Sequence, residues 1–254
     1  AAKKAFQQAQ LAAGSATFHF DESARPAHTG SYRSPFVKDR ESLSAGKLNA
    51  LLMDAYTHLK VSDKIVSATS LCQVIEIATK FISSNGSDIS QNFLMLEFDL
   101  RATAADGTNQ QTRSFGGMRG TCRQMGMEYF DSHEIMAQAS KIGEQALELL
   151  AADECPSGEM DVVISADQMM LQIHESIGHA LEVDRILGDE RNYAGWSFVR
   201  EEDFGKLQYG SKIMNITFDP TINNQFACYG FDDGGLKADR EFIIKDGLLV
   251  KGLG

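Results

Sequence analysis

The chain has 254 residues, 43% hydrophobic and 23% charged, with a formal net charge of −11. That length holds one large domain or two ordinary ones, and the balance is that of a chain able to bury a sizeable core. An acidic surface repels phosphates and no Arg/Lys stripe reverses it, which argues against direct nucleic-acid binding. No apolar run approaches the ~20 residues of a membrane span.

The opening stretch, Ala1 to Gln10, has a basic start but no apolar centre, so it reads as a helix cut into and not as an export signal. Cys72, Cys122, Cys155 and Cys228 stand far apart with no C-x-x-C pair. They are expected to be reduced, mostly structural thiols of a cytoplasmic protein.

Leu48, Leu51, Leu52, Ala55 and Leu59 recur at helical spacing. Two short strands are expected next, Lys64 to Thr69 and Gln73 to Thr79, followed by a turn at Ser84-Asn85-Gly86. Leu94, Leu96, Phe98 and Leu100 alternate with polar residues, so they should share the core face of a strand. Asp106-Gly107 turns the chain back through Thr108 to Phe115, completing an antiparallel meander. Gly116-Gly117 and Gly120 mark a loop leaving it.

Asp131 or Ser132 can cap a helix running to about Ala151, with Ile135, Ala139, Ile142, Ala146 and Leu149 inward. Pro156-Ser157-Gly158 is the expected boundary between two parts, 1–155 and 156–254. Beyond it, Met160 to Ile164 reads as a buried-type strand, and a helix begins near Ala166. Lys212 to Phe218 reads as a strand, and Glu241–Lys245 should pair with Leu248–Lys251 across Asp246-Gly247. The chain stops after that hairpin strand, which reads as a truncation. The fold class is α+β: an antiparallel meander with helices, then a β-rich domain entered through the helix that carries the motif described next.

Gln172 to Glu182 places two histidines and two glutamates within a short span. Imidazole is a standard zinc ligand, and a neighbouring carboxylate can take a proton from metal-activated water. In the familiar His-Glu-x-x-His pattern, four steps of ~100° leave the two imidazoles ~40° apart on one helix face. Here His174 and His179 are five apart, so a regular helix would separate them by ~140°. A π-bulge or similar widened turn, with Gly178 giving the backbone its freedom, would bring the second ring round. Alternatively, Glu175, His179 and Glu182 stand at i, i+4 and i+7, as in half of a carboxylate-rich bundle site; the second helix such a site needs is not found.

The remaining candidates have plainer readings. His19, His28, His58 and His133 are isolated. Cys228 is read as a small residue in or near a strand, although zinc accepts thiolate. Trp196 is read as packing, with a substrate platform as its alternative. Asp232-Asp233-Gly234-Gly235 is a loop lacking the further ligands of a calcium site.

His174-Glu175-Ser176-Ile177-Gly178-His179-Ala180-Leu181-Glu182 resembles the His-Glu-x-x-Gly-His-x-Leu-Glu core of the TldD/PmbA family. The similarity extends to Asp161 to Ile164, to Phe231 to Gly234, and to the hairpin from Ile243 to Gly252; the strands around Lys64 to Thr79 and Arg113 to Gly117 fit more loosely. This resemblance implies a cytoplasmic zinc peptidase acting on unfolded or extended peptides. His174 and His179 would be metal ligands and Glu175 the general base. A cysteine beyond the end of this sequence would be the third ligand. It also implies a homodimer or a heterodimer with a paralogous subunit, and carries the older label of gyrase modulator. An exposed strand edge is expected to hold the peptide. The competing reading is a non-catalytic regulatory or binding subunit of a peptidase or gyrase-modulating complex; a base retained beside two histidines argues against it.

Overall fold

The computed structural model describes residues 2–15, 25–117, 121–131 and 134–254. His19, Gly120, Ser132 and His133 lie outside these residues.

The amino-terminal helix α1 (Ala2–Ala13) is exposed throughout. Strand β1 (Thr29–Arg33) follows, then helix α2 (Ala45–Leu59), capped by the Ser44 hydroxyl accepting from the Lys47 N–H. Strands β2 (Ile65–Ile82) and β3 (Asp88–Asp106) form a long hairpin closed at Ser84 to Gly86, and β4 (Asn109–Ser114) folds back on β3. Residues 64–79 therefore lie in one continuous strand, not two: no Gly or Pro interrupts Ile65 to Ile82, and β3 offers an unbroken partner. The sheet order is β1-β3-β2, with β4 also on β3. The β2-β3-β4 meander is antiparallel, while β1 joins β3 in parallel and makes the sheet mixed.

Along β3, Leu94, Leu96, Phe98, Leu100, Ala102 and Ala104 are buried, as the period of two requires. They pack under α2 and α3 (Glu134–Leu150), which contributes Ile135, Ala139, Ile142 and Ala146. Phe98 is the centre of this core, with Phe115, Tyr129 and Phe130 at ring separations of 6.3, 5.6 and 5.8 Å. Burying such a ring stabilises the fold by roughly 1.5–3 kcal/mol. Gly143 lets α3 close on α2, since a Cβ there would stand 2.4 Å from the Leu59 carbonyl oxygen.

A second, smaller core gathers Ile177, Leu181, Val199, Ile243, Ile244 and Leu249. It is built on β5 (Ile216–Phe218), β6 (Glu241–Lys245) and β7 (Leu248–Leu249), in that order. The Asp246-Gly247 turn has positive φ at both residues, 52° and 76°, as the tight hairpin demands. Only the last three residues of the expected strand from Lys212 to Phe218 are paired.

A further expectation fails outright. Met160 to Ile164 is not a strand, and Val162 and Val163 are 71% and 98% exposed. An apolar β-prone segment becomes a strand only where another strand supplies hydrogen bonds, and none of the described residues does so here.

A candidate metal centre at a widened helical turn

Helix α4 (Ala166–Ile173) runs directly into a π-helical turn over His174–Gly178, followed by a 3₁₀ turn over His179–Leu181. The N–H of His179 donates to the carbonyl of His174, five residues back, which widens the turn. The consequence is that the two imidazoles converge: their ring centroids are 4.3 Å apart at an interplanar angle of 71°. Ligand atoms of His174, Glu175 and His179 all lie within 4.8 Å of one another. His174 Nε2 is 3.8 Å from Glu175 Oε1, and both side chains are more than half exposed.

Gly178 is not what permits the wide turn. Its φ and ψ are −51° and −66°, an ordinary right-handed conformation, and a Cβ there would meet only the Ile173 carbonyl oxygen at 3.9 Å. The turn is held from outside the helix. The Tyr209 hydroxyl donates to the Ser176 carbonyl at 2.6 Å, the Ser197 hydroxyl to the Ala180 carbonyl at 2.5 Å, and the Leu253 N–H to the Leu181 carbonyl at 2.7 Å. Ile177 and Leu181, both buried, anchor the turn in the second core.

Glu182 leaves the helix at φ −63°, ψ 120°, and turns its carboxylate back to His179. Its Oε1 is 2.7 Å from His179 Nδ1, and its Oε2 accepts from Arg185 Nε. The Nη2 of Arg185 also lies 2.9 Å from His179 Nδ1, but it could donate only to a bare nitrogen, whose lone pair would then face that of the Glu182 carboxylate at 2.7 Å. The carboxylate between them is the acceptor both share, so Nδ1 carries the proton and Nε2 keeps a free lone pair. Burial alone would raise the Glu182 pKa. Hydrogen bonds from His179 and Arg185, with the Arg185 charge, outweigh it and hold the carboxyl below its usual range. Glu182 is thus a support for His179, not the third member of a carboxylate-rich bundle site.

Beside the cluster lies an open groove of about 470 Å³ lined by Glu175, Ser176, His179, Arg185, Trp196 and Phe198. Trp196 is 67% exposed with the Arg191 guanidinium 4.7 Å from its ring centre, so it is a wall of this groove and not a core residue. Phe198, overlooked in the sequence, is 66% exposed on the same wall. Cys228 lies elsewhere, buried against the Tyr32 hydroxyl at 3.2 Å; the His28 ring packs on Phe231 at 5.9 Å between centroids, and His58 bonds the Asp54 carbonyl one turn back.

Residues 157–253 match the family model described as the PmbA/TldA metallopeptidase C-terminal domain. The chain belongs to the TldD/PmbA family. It is 31% identical over 209 residues to a metalloprotease of Methanothermobacter thermautotrophicus, covering 81% of this chain and 42% of that protein. It is 34% identical over 110 residues to the metalloprotease TldD homolog of Haemophilus influenzae, covering 41% of this chain and 20% of that one. The chain thus spans less than half the length of these curated relatives. Among solved structures, a candidate modulator of a DNA gyrase from Thermotoga maritima has a TM-score of 0.63 at 15% identity, covering 86% of this chain and 47% of that one. TldE from Thermococcus kodakarensis has a TM-score of 0.57 at 16% identity, covering 99% and 54%. These likenesses place the α+β fold in TldD/PmbA, a family whose named relatives are metalloproteases. No helix among the described residues is long and apolar enough to cross a membrane.

Proposed function

We propose that this chain carries the metal-binding and proton-transfer residues of a cytoplasmic zinc peptidase acting on unfolded or extended peptides. The observation that carries the reading is the convergence of His174, Glu175 and His179 at the π turn. The donor set suits zinc: two imidazoles with a carboxylate beside them, one imidazole fixed in its tautomer by Glu182. His174 and His179 would hold the ion, and a cysteine beyond the end of this sequence would be the third protein ligand. When bound, the cation would supply Lewis acidity, polarising a scissile carbonyl and making a water molecule acidic.

The remaining steps fall to the chain itself. Glu175, exposed on the groove, takes a proton from the attacking water and delivers it to the leaving amine. Glu182 and Arg185 keep the His179 ring oriented throughout. Trp196 and Phe198 give the groove an apolar wall against which a substrate side chain can lie. The protein is proposed to work as a pair, either of identical chains or with a paralogous subunit.

The test is metal content and peptide cleavage of the full-length protein in three forms. The wild type should hold about one zinc per chain and cleave. His179→Ala should lose both properties. Glu175→Gln should keep the metal and lose at least ~10²-fold in rate, the scale of general acid–base catalysis. A wild type that takes up no metal after zinc is resupplied defeats the peptidase reading and leaves the regulatory subunit.

A further inference from the structure

One guanidinium joins the widened turn to the wall of the groove beside it. Helix α5 (Val183–Leu187) follows Glu182 and ends at Gly188, whose φ of 91° closes it. The Arg185 side chain on this helix is 17% exposed and points its donors in two directions. Its Nε donates to Glu182 Oε2, on the carboxylate that accepts from His179 Nδ1. Its Nη1 donates to the Ala194 carbonyl at 3.0 Å, two residues before Trp196.

Residues 189–198 leave α5 and come back to it. The N–H groups of Tyr193, Ala194 and Gly195 all donate to the Glu190 carbonyl at 2.9–3.1 Å, so those bonds lie within the segment. Three others tie it to the turn and to α5. Arg185 Nη1 holds the Ala194 carbonyl, the Arg185 carbonyl accepts from the Ser197 N–H at 3.4 Å, and the Ser197 hydroxyl donates to the Ala180 carbonyl at 2.5 Å. Trp196 is bracketed by these bonds, and Arg185 takes part in two of them. His179, Ala180, Glu182, Arg185, Ala194 and Ser197 are all half-buried, so the connection runs beneath the groove and not across its open side. A guanidinium is planar, with its donors in a fixed fork. A shift of the partner on one edge turns the plane and disturbs the partner on the other.

We infer that Arg185 is a positioning residue that couples the His179–Glu182 pair to the segment carrying Trp196, so that metal at His179 firms the groove wall and a disturbed wall weakens the metal site. This coupling rests on His179 being a metal ligand, as proposed above. A cation on Nε2 draws density from the ring and makes Nδ1–H a stronger donor. That tightens the Glu182 carboxylate and, through it, Arg185. The effect is reciprocal: the factor by which metal favours the ordered wall is the factor by which the ordered wall favours metal.

The first test needs no metal. Amide exchange from Trp196 to Val199 is measured in the full-length protein as wild type, Glu182→Ala, Arg185→Met and the double variant. Glu182 has no bond to this segment among the described residues, yet Glu182→Ala should quicken exchange there about tenfold by unseating Arg185. Arg185→Met should do about the same, and the double variant no more than either single one. Arg185→Lys keeps the charge beside Glu182 without the fork and should behave like Arg185→Met. If Glu182→Ala fails to fold in a urea melt, Glu182→Gln replaces it, with about threefold expected. Unchanged exchange in the Glu182 variant overturns the inference, as do two effects that simply multiply or a lysine that restores the wild-type rate. Loosening of equal size at Ile243 and Ile244 in the second core would make the effect one of global stability and overturn it too. The second test adds zinc, with uptake followed separately by chelator competition. Bound zinc should slow exchange of the segment at least about fivefold in wild type and leave it unchanged in Arg185→Met. Zinc bound without slowing in wild type overturns the inference. Zinc not bound at all is the failure of the metal reading, and the metal-free variants then decide the link between Glu182 and the Trp196 segment.

Discussion

Glu182 Oε1 stands 2.7 Å from Nδ1 of His179, and both groups lie just past the turn that brings His179 to His174. The carboxylate thereby decides which imidazole nitrogen is left for a metal, and Arg185 in turn holds the carboxylate. Supports of this kind typically carry 10–100-fold of metal affinity. Glu182→Gln is therefore expected to weaken zinc binding by about that factor, read by competition with a chromophoric chelator. The amide keeps the shape but loses the charge that favours the Nδ1 proton. Unchanged affinity would assign the contact to folding alone.

Gly178 invites the opposite expectation from the one its position in the motif suggests. Its backbone is right-handed and a Cβ has open space, with the nearest atom at 3.9 Å. Gly178→Ala should leave the π turn intact and zinc affinity within about threefold of wild type, and helix propensity favours alanine by roughly 1 kcal/mol. The contrasting variant is Tyr209→Phe, which removes the hydroxyl that donates to the Ser176 carbonyl. Losing that bond should cost about 1 kcal/mol in a urea melt and lower metal affinity as well. A severe loss in Gly178→Ala with none in Tyr209→Phe would mean that the turn is held by the glycine after all.

Glu128 sets an acid limit on the first part of the fold. Burial would raise its pKa, but the N–H groups of Lys38, Val37 and Gly126 donate to its carboxylate and together hold it below the usual glutamate range. A group whose pKa is lowered by folding stabilises the native state above its unfolded value of about 4.3, and that stability is lost as pH falls through the folded value. The urea midpoint of the wild type should therefore exceed that of Glu128→Gln at pH 7, and the gap should close on descending below about pH 4. A gap that stays constant with pH would tie the effect to packing.

Much of this was legible in the residues. The alternation of Leu94 to Leu100 gave the core face of β3, the Asp-Gly pair gave the final hairpin, and the five-residue spacing of His174 and His179 demanded a widened turn before one was seen. What stayed hidden depends on partners distant in sequence. The parallel pairing of β1 with β3 carries no local period, and neither does the Tyr209 hydroxyl on Ser176, 33 residues away. The segment from Met160 to Ile164 shows the converse: its apolar run reads as a buried strand, but strand formation needs a neighbour that no local pattern supplies. Trp196 was misjudged because a lone large aromatic is usually packed inside, whereas here it walls a groove.

Gln124 is the clearest case of a residue with no sequence signal and a large expected effect. It is 1% exposed, between the first sheet and the loop from Phe226 to Phe231. Its Oε1 accepts from the Tyr32 hydroxyl at 2.9 Å and the Ser34 hydroxyl at 2.7 Å, while its Nε2 donates to the carbonyls of Phe226 at 3.0 Å and Cys228 at 2.5 Å. Gln91 does similar work nearby, accepting from the N–H groups of Gly230 and Phe231 and donating to the Phe231 carbonyl. Two amide side chains thus fasten the loop to the sheet through its backbone, whatever its side chains are. Gln124→Leu fills the volume but strands two hydroxyls and two carbonyls, each buried group costing about 1–3 kcal/mol where water cannot replace the lost partner. The Tyr32 hydroxyl keeps Cys228 and the Ser34 hydroxyl can turn, so the net loss should be about 2–4 kcal/mol in a urea melt. Amide exchange should quicken first at Phe226 to Phe231, ahead of α3 and β3. Uniform loosening of both cores would instead mean that the loop and the sheet unfold as one unit.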